Sequence, residues 1–178
     1  MCGRKHDRPQ LMRKSLEGTT EDVVSVEIRM LGHQERGVLA RVAPDVFDNA
    51  IDDEWCTAFF RDPRHHLAVA LEGTLVVGFA SAVHYVHPDK PPELWINEVG
   101  VAPSHQQQGL GRGLLTVLLE HAGTLGCVQA WVLTSPTNTA AQRLYAAAGG
   151  QVASEPSLLF EFPVLLGPRE VEKDVPAV

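Results

Sequence analysis

The stretch Glu98 to Gly113, EVGVAPSHQQQGLGRG, concentrates more chemical potential than any other part of the chain. An apolar strand runs there straight into a glycine-rich helix start. Gly109, Gly111 and Gly113 are expected to remove Cβ atoms where backbone must approach a ligand. The helix behind them offers free N–H groups and the positive end of its dipole, a site suited to phosphate or pyrophosphate. An ordinary strand-to-helix turn would have the same composition. A P-loop is excluded because G-x-x-x-x-G-K-[ST] is absent, and so is the dinucleotide pattern G-x-G-x-x-G. Glu98 is a carboxylate inside an otherwise apolar strand, WINEVGV. Partial burial would raise its pKa toward the range of a general base, and pairing with a cation is its structural alternative. Residues 42–60 hold Asp45, Asp48, Asp52, Asp53 and Glu54 without one Lys or Arg. Asp52 to Glu54 suit a helix first turn; Asp45 and Asp48 have no such reason.

The elements around these residues follow from periodicity. Residues 24–31 alternate apolar and polar as a strand, and 33–47 carry Val38, Leu39, Val42 and Val46 at helical spacing. A helix is expected over 52–62, a hairpin over 66–86 turning at Glu72-Gly73, and a strand over 94–102. Leu110, Leu114, Val117, Leu118 and Leu125 line one face of a helix over 109–126. A strand (127–134), a helix (138–150) and a final strand (157–164) complete the order. Asn138 has the N-cap position of its helix. The order gives an α/β (α+β) domain with a mixed sheet and a right-handed βαβ crossover over 94–134. Residues 1–24 read as a mobile arm, 25–164 as the domain and 165–178 as a tail.

The 178 residues carry 15 Lys and Arg against 22 Asp and Glu, a net charge of −7, which argues against nucleic acid as a partner. No apolar run reaches the roughly 20 residues of a membrane span, so no membrane partner is expected. Three scattered cysteines fit a reducing cytoplasm. The histidines lack metal-ligand spacing, so no metal is expected.

Gln106-x-x-Gly109-x-Gly111, behind the strand Val99-Gly-Val-Ala-Pro103, resembles the acyl-CoA pyrophosphate loop of the GNAT N-acyltransferase superfamily. Asn138-x-x-Ala141-x-x-Leu144-Tyr145-x-x-x-Gly149 resembles its second CoA motif. The resemblance covers about residues 24–164. It implies a single-domain GNAT-like fold with a splayed sheet flanked by helices, and acetyl-CoA as cosubstrate. Val99, Gly100, Val101, Gln106, Gln107, Gln108, Gly109, Leu110, Gly111, Arg112, Asn138 and Tyr145 would then contact CoA. The loop departs from its relatives in carrying three glutamines where Arg or Lys is common. Arg112 alone remains to pair with phosphate, so backbone donors must supply most of the attraction.

The resemblance also implies roles. Glu98 would take the proton from the acceptor amine, and Tyr145, otherwise a core-anchoring tyrosine, would protonate the departing thiolate. A phenol of pKa about 10 and a thiol of about 8.5 are close enough for that transfer. A narrower resemblance is to aminoglycoside 3-N-acetyltransferases. It rests on Asp45-Val-Phe47, the His84-Tyr85 hairpin end, Trp95-Ile-Asn-Glu98-Val and a short C-terminal strand. It makes the acceptor a small polycationic amine held by Asp45, Asp48, Tyr85 and Glu98, and points to resistance. A polyamine or a protein N-terminus or lysine is the alternative acceptor, and a non-catalytic acyl-CoA-binding module the alternative class. Family habit favours a homodimer.

Overall fold

A computed structural model describes residues 25–155 and 159–163; the expected arm and tail lie outside them. Strand β1 (Val26–Met30) opens the sheet. The helical spacing of 33–47 yields only a 3-10 turn at Arg36–Ala40. Pro44 cannot donate to a continuing helix, and Asp45 after it takes φ 58°, in the left-handed region. Helix α1 (Asp53–Arg61) starts where expected, because the Asp52 side chain accepts from the Trp55 N–H at 2.9 Å. Strands β2 (His65–Glu72) and β3 (Leu75–Tyr85) form the hairpin, turning through Gly73 at φ 60°. Strand β4 (Glu93–Val101), helix α2 (Leu110–Thr124), strand β5 (Ala130–Val132) and helix α3 (Thr139–Ala147) follow.

The sheet order is β1-β2-β3-β4-β5: a four-strand antiparallel meander with β5 added parallel to β4. The final strand expected over 157–164 does not form in its described part. Leu159, Phe160 and Phe162 are 71–81% exposed, so neither face is buried and alternation alone gives no ladder. Residues 157, 158 and 164 lie outside the described part.

Ala68, Ala70, Gly78, Ala80 and Ala82 share one face of β2 and β3 and are small enough for α2 to seat Leu114 and Leu118 there. The other face carries Leu67, Val69 and Phe79 and is covered by the 42–60 segment. Phe47 stacks on Phe79 with ring centroids 3.9 Å apart. That segment is pinned to the start of β3 by Ala43 N–H to Val76 O and Val76 N–H to Arg41 O, both 2.9 Å.

One buried polar group interrupts the α2 face. His66 on β2 meets His84 Nδ1 of β3 through Nε2 at 2.8 Å and His121 Nε2 of α2 through Nδ1 at 3.1 Å. A neutral imidazole has one donor and one acceptor, so neutral His66 satisfies both contacts without water. Burial first, then the neighbouring His121, His84, His33 and His65, push its pKa down to about 4. The unfolded chain protonates this residue near pH 6.5, so it binds more protons than the folded chain as pH falls. Urea unfolding should therefore show stability level above about pH 7 and lower by about 2 kcal/mol at pH 5. His66→Leu should flatten that slope; an unchanged slope would refute the assignment.

Candidate active site

Strand β4 has two different halves. Leu94–Ile96 pair with β3 on one side and with Ala130–Val132 of β5 on the other. Beyond Ile96 the β5 ladder ends, and among the described residues no strand pairs with the edge of Asn97–Val101 that faced it; the Gln106 side chain takes Val101 O at its end. At the same point β4 carries a bulge. Ala82 opposes Ile96 but Ser81 opposes Glu98, so Asn97 is the extra residue. Without it Glu98 would face α2. With it Glu98 shares the face of Ser81 and Phe79, under the 42–60 segment.

Glu98 lies at a cavity of about 380 Å³ whose lining includes Phe47, Asp48, Trp55, Phe59, Phe79 and Ser81. It is half-buried and, among the described residues, forms no hydrogen bond or ion pair. Burial, then the Asp48 charge, raise its carboxyl above the usual range. Among the described residues, then, no cationic side chain pairs with Glu98. Asp48 is exposed on the rim. Asp45, also exposed, lies with Asp48 on an adjoining shallow cavity. Gly100 is what lets this loop lie so close. A Cβ there would collide with the Val46 carbonyl oxygen and come within 2.6 Å of the Phe79 ring.

The glycine loop is ordered by its own side chains. Gln106 Nε2 donates to Val101 O at 3.1 Å and Gln108 Nε2 to Ser104 O at 3.3 Å. Gln107 (φ 62°) and Gly109 (φ 82°) take left-handed backbone, and no side chain caps α2 behind them. The N–H groups of Leu110, Gly111 and Arg112 precede the first intrahelical bond and stay available. Leu110 itself is buried, so only its backbone can meet a ligand, while Arg112 is exposed and unpaired among the described residues. A pyrophosphate fits this set of donors.

Gly111 and Gly113 are bare for a different reason than expected. A Cβ at Gly111 would lie 3.1 Å from Leu144 of α3, and one at Gly113 would lie 2.5 Å from Ile28 of β1. In each case the missing Cβ makes room for a neighbouring element. Asn138 caps α3, accepting from the Ala141 N–H at 3.0 Å. Tyr145 follows Leu144 on that helix, half-buried; burial raises its pKa, and its hydroxyl has no partner among the described residues. Tyr85 stands apart from the cavity, its hydroxyl donating to Glu93 at 2.5 Å. Trp55 and Phe59, which with Phe47 form an aromatic wall, were not expected at the site, although both follow the acidic residues closely in sequence.

Residues 35–149 match the profile of the Acetyltransferase (GNAT) family. The chain belongs to that family. The domain is accordingly an acetyl-CoA-dependent N-acetyltransferase domain. N-alpha-acetyltransferase RimI of Mycobacterium tuberculosis is 32% identical over 136 residues, 74% of this chain and 82% of that protein. Mycothiol acetyltransferase of Saccharopolyspora erythraea is 40% identical over 86 residues, 47% of this chain. The chain spans only 26% of that relative's length. Among solved structures, an aminoglycoside acetyltransferase from an uncultured soil metagenomic sample, in complex with trehalose, superposes with TM-score 0.69. It has 18% identity over 79% of this chain and 97% of its own, a likeness of fold.

If Gly111 serves helix packing, Gly111→Val should lower unfolding free energy by about 1–3 kcal/mol, as overpacking does. Leu144→Ala in the same chain should recover part of that loss. A full recovery of stability with CoA binding still abolished would instead put a ligand against Gly111.

Proposed function

We propose that this domain transfers the acetyl group of acetyl-CoA directly to an amine of an aminoglycoside, at its 3-amino group, and so confers resistance. The observation that carries acetyl transfer to an amine is the unpaired Glu98 carboxylate, beside Asp48, where β4 leaves its neighbour. Acetyl-CoA, when bound, supplies an activated thioester. The open edge of Asn97–Val101 would hold its pantetheine arm, and the Gln107–Arg112 N–H groups its pyrophosphate. An alkylammonium of pKa about 10 cannot attack a carbonyl until it loses a proton. Glu98, raised toward neutrality, takes that proton directly or through one water. Tyr145, raised by burial and so protonated at neutral pH, supplies the proton the leaving sulfur needs. Asp45 and Asp48 hold further ammonium groups at the rim, and the aromatic wall covers the apolar face of a sugar or cyclitol ring.

A second reading is acetylation of a protein N-terminus, favoured by the 32% identity to RimI. Mass spectrometry after incubation with acetyl-CoA, gentamicin, spermidine and N-terminal peptides separates the two. The expected product is mono-acetyl gentamicin modified at the 3-amino group. Acetylated peptide or spermidine with gentamicin untouched would overturn the substrate while sparing the base.

The base has its own test. Glu98→Gln should lower kcat by about 10²–10⁴-fold with a modest change in KM, and Tyr145→Phe should lower kcat with CoA binding intact. The Asp48 charge helps raise the Glu98 pKa. Asp48→Asn should therefore move the acid limb of the kcat/KM profile to lower pH while raising KM for the amine about tenfold. A limb that stays in place would remove Glu98 from the base role.

A further inference from the structure

The acceptor face of the sheet does not end at Glu98. Strand register places Ser81 with Glu98, then Val83 with Trp95 and Trp131, then Tyr85 with Glu93, in successive rows on that one face. Trp95 and Tyr85 are partly exposed and Trp131 is 39% exposed, so this end of the face is open to solvent. At its far end, one oxygen of Glu93, Oε2, accepts from Tyr85 Oη at 2.5 Å and from Trp131 Nε1 at 3.0 Å.

Those donors come from β3 and β5, on either side of β4, and fix the carboxylate in place. Oε1 accepts no hydrogen bond among the described residues. Lys90 and His87 are close enough to favour the ionised form, yet neither is within ion-pair distance. The carboxyl lies below its usual pKa, through the Tyr85 bond first and the Trp131 bond next. An ionised, oriented carboxylate with a free oxygen beside an indole ring is a site for an ammonium or guanidinium group.

We propose that Glu93, held by Tyr85 and Trp131, is a second cation subsite that selects acceptors carrying two positive groups. It rests on the reading that the acceptor is an amine delivered to Glu98. Four residues of β4, one of them the bulge, lie between the two carboxylates, which puts them roughly 13–16 Å apart at strand rise. An extended polyamine or a three-ring aminoglycoside spans that distance, with its apolar stretch over Val83, Trp95 and Trp131. The amine at Glu98 reacts; the one at Glu93 sets which end is presented. Tyr85, separate from the cavity, thus acts as a positioning residue for Glu93.

Calorimetric binding of spermine and tobramycin in the presence of free CoA tests the subsite without requiring turnover. Glu93→Gln should weaken both about tenfold, and the loss should shrink in high salt. Tyr85→Phe, which keeps the ring and removes one orienting donor, should weaken them about threefold and serves if Glu93→Gln folds poorly. As an acceptor, butylamine has one positive group, and its KM should be the same in the wild type and both variants. Unchanged polyamine affinity in the variants, an equal penalty for butylamine, or a wild-type protein that binds neither polyamine overturns the subsite. Acetylation of peptides in place of aminoglycosides would instead defeat the substrate reading and leave the spermine comparison standing.

Discussion

Strand β4 is paired on both sides as far as Ile96 and on one side beyond it. Everything the site does depends on that change. Among the described residues the backbone groups of Asn97 to Gly100 on the freed edge have no ladder partner, and such N–H and C=O groups beside a cleft are what an extended amide-bearing arm would pair with. The bulge at Asn97 falls at the same point and turns Glu98 to the acceptor face. A ligand lying along the open edge and an amine lying over the face then meet beside one residue. The proposed cofactor slot and the proposed base would both follow from one irregularity in one strand.

The frame that holds this irregularity packs closely because of what it lacks. Small side chains on the α2 face of β2 and β3 let the helix pack closely, so its uncapped N-terminus is fixed at the end of β4. Gly100 does the same on the other face for the acidic loop. Both close approaches would be lost to a single added Cβ. The trio His121–His66–His84 occupies a further part of the α2 face and ties α2 to the hairpin with polar contacts that neutral His66 satisfies from both ring nitrogens. The acidic loop itself is held by Val42 and Ala43 against the start of β3 and by Phe47 on Phe79.

Local signals were legible in the sequence wherever local physics decides. Asp52 and Asn138 cap the helices they were expected to cap, Gly73 turns the hairpin, and the Leu110–Leu118 stripe faces the sheet. Glu98 stood out because a carboxylate in an apolar strand needs a reason. What failed to show was nonlocal. Asn97 carries no bulge signature, and the reason Gly111 has no side chain is Leu144, thirty-three residues away. His66 meets two histidines from two other elements. Alternation over 157–164 looked like a strand, but no buried face awaits its described part. The helical spacing of 33–47 was overridden by Pro44 and by the pairing of residues 41–43 with Val76.

A crystal structure of the protein with acetyl-CoA tests the central claim most directly. The pantetheine arm should pair with the open edge of Asn97–Val101, and the acetyl carbonyl should emerge on the face of Glu98 and Ser81. The Glu98 carboxylate should still be free of any cationic side chain. An arm bound elsewhere, or a Glu98 closed into an ion pair or turned toward α2, would contradict the account.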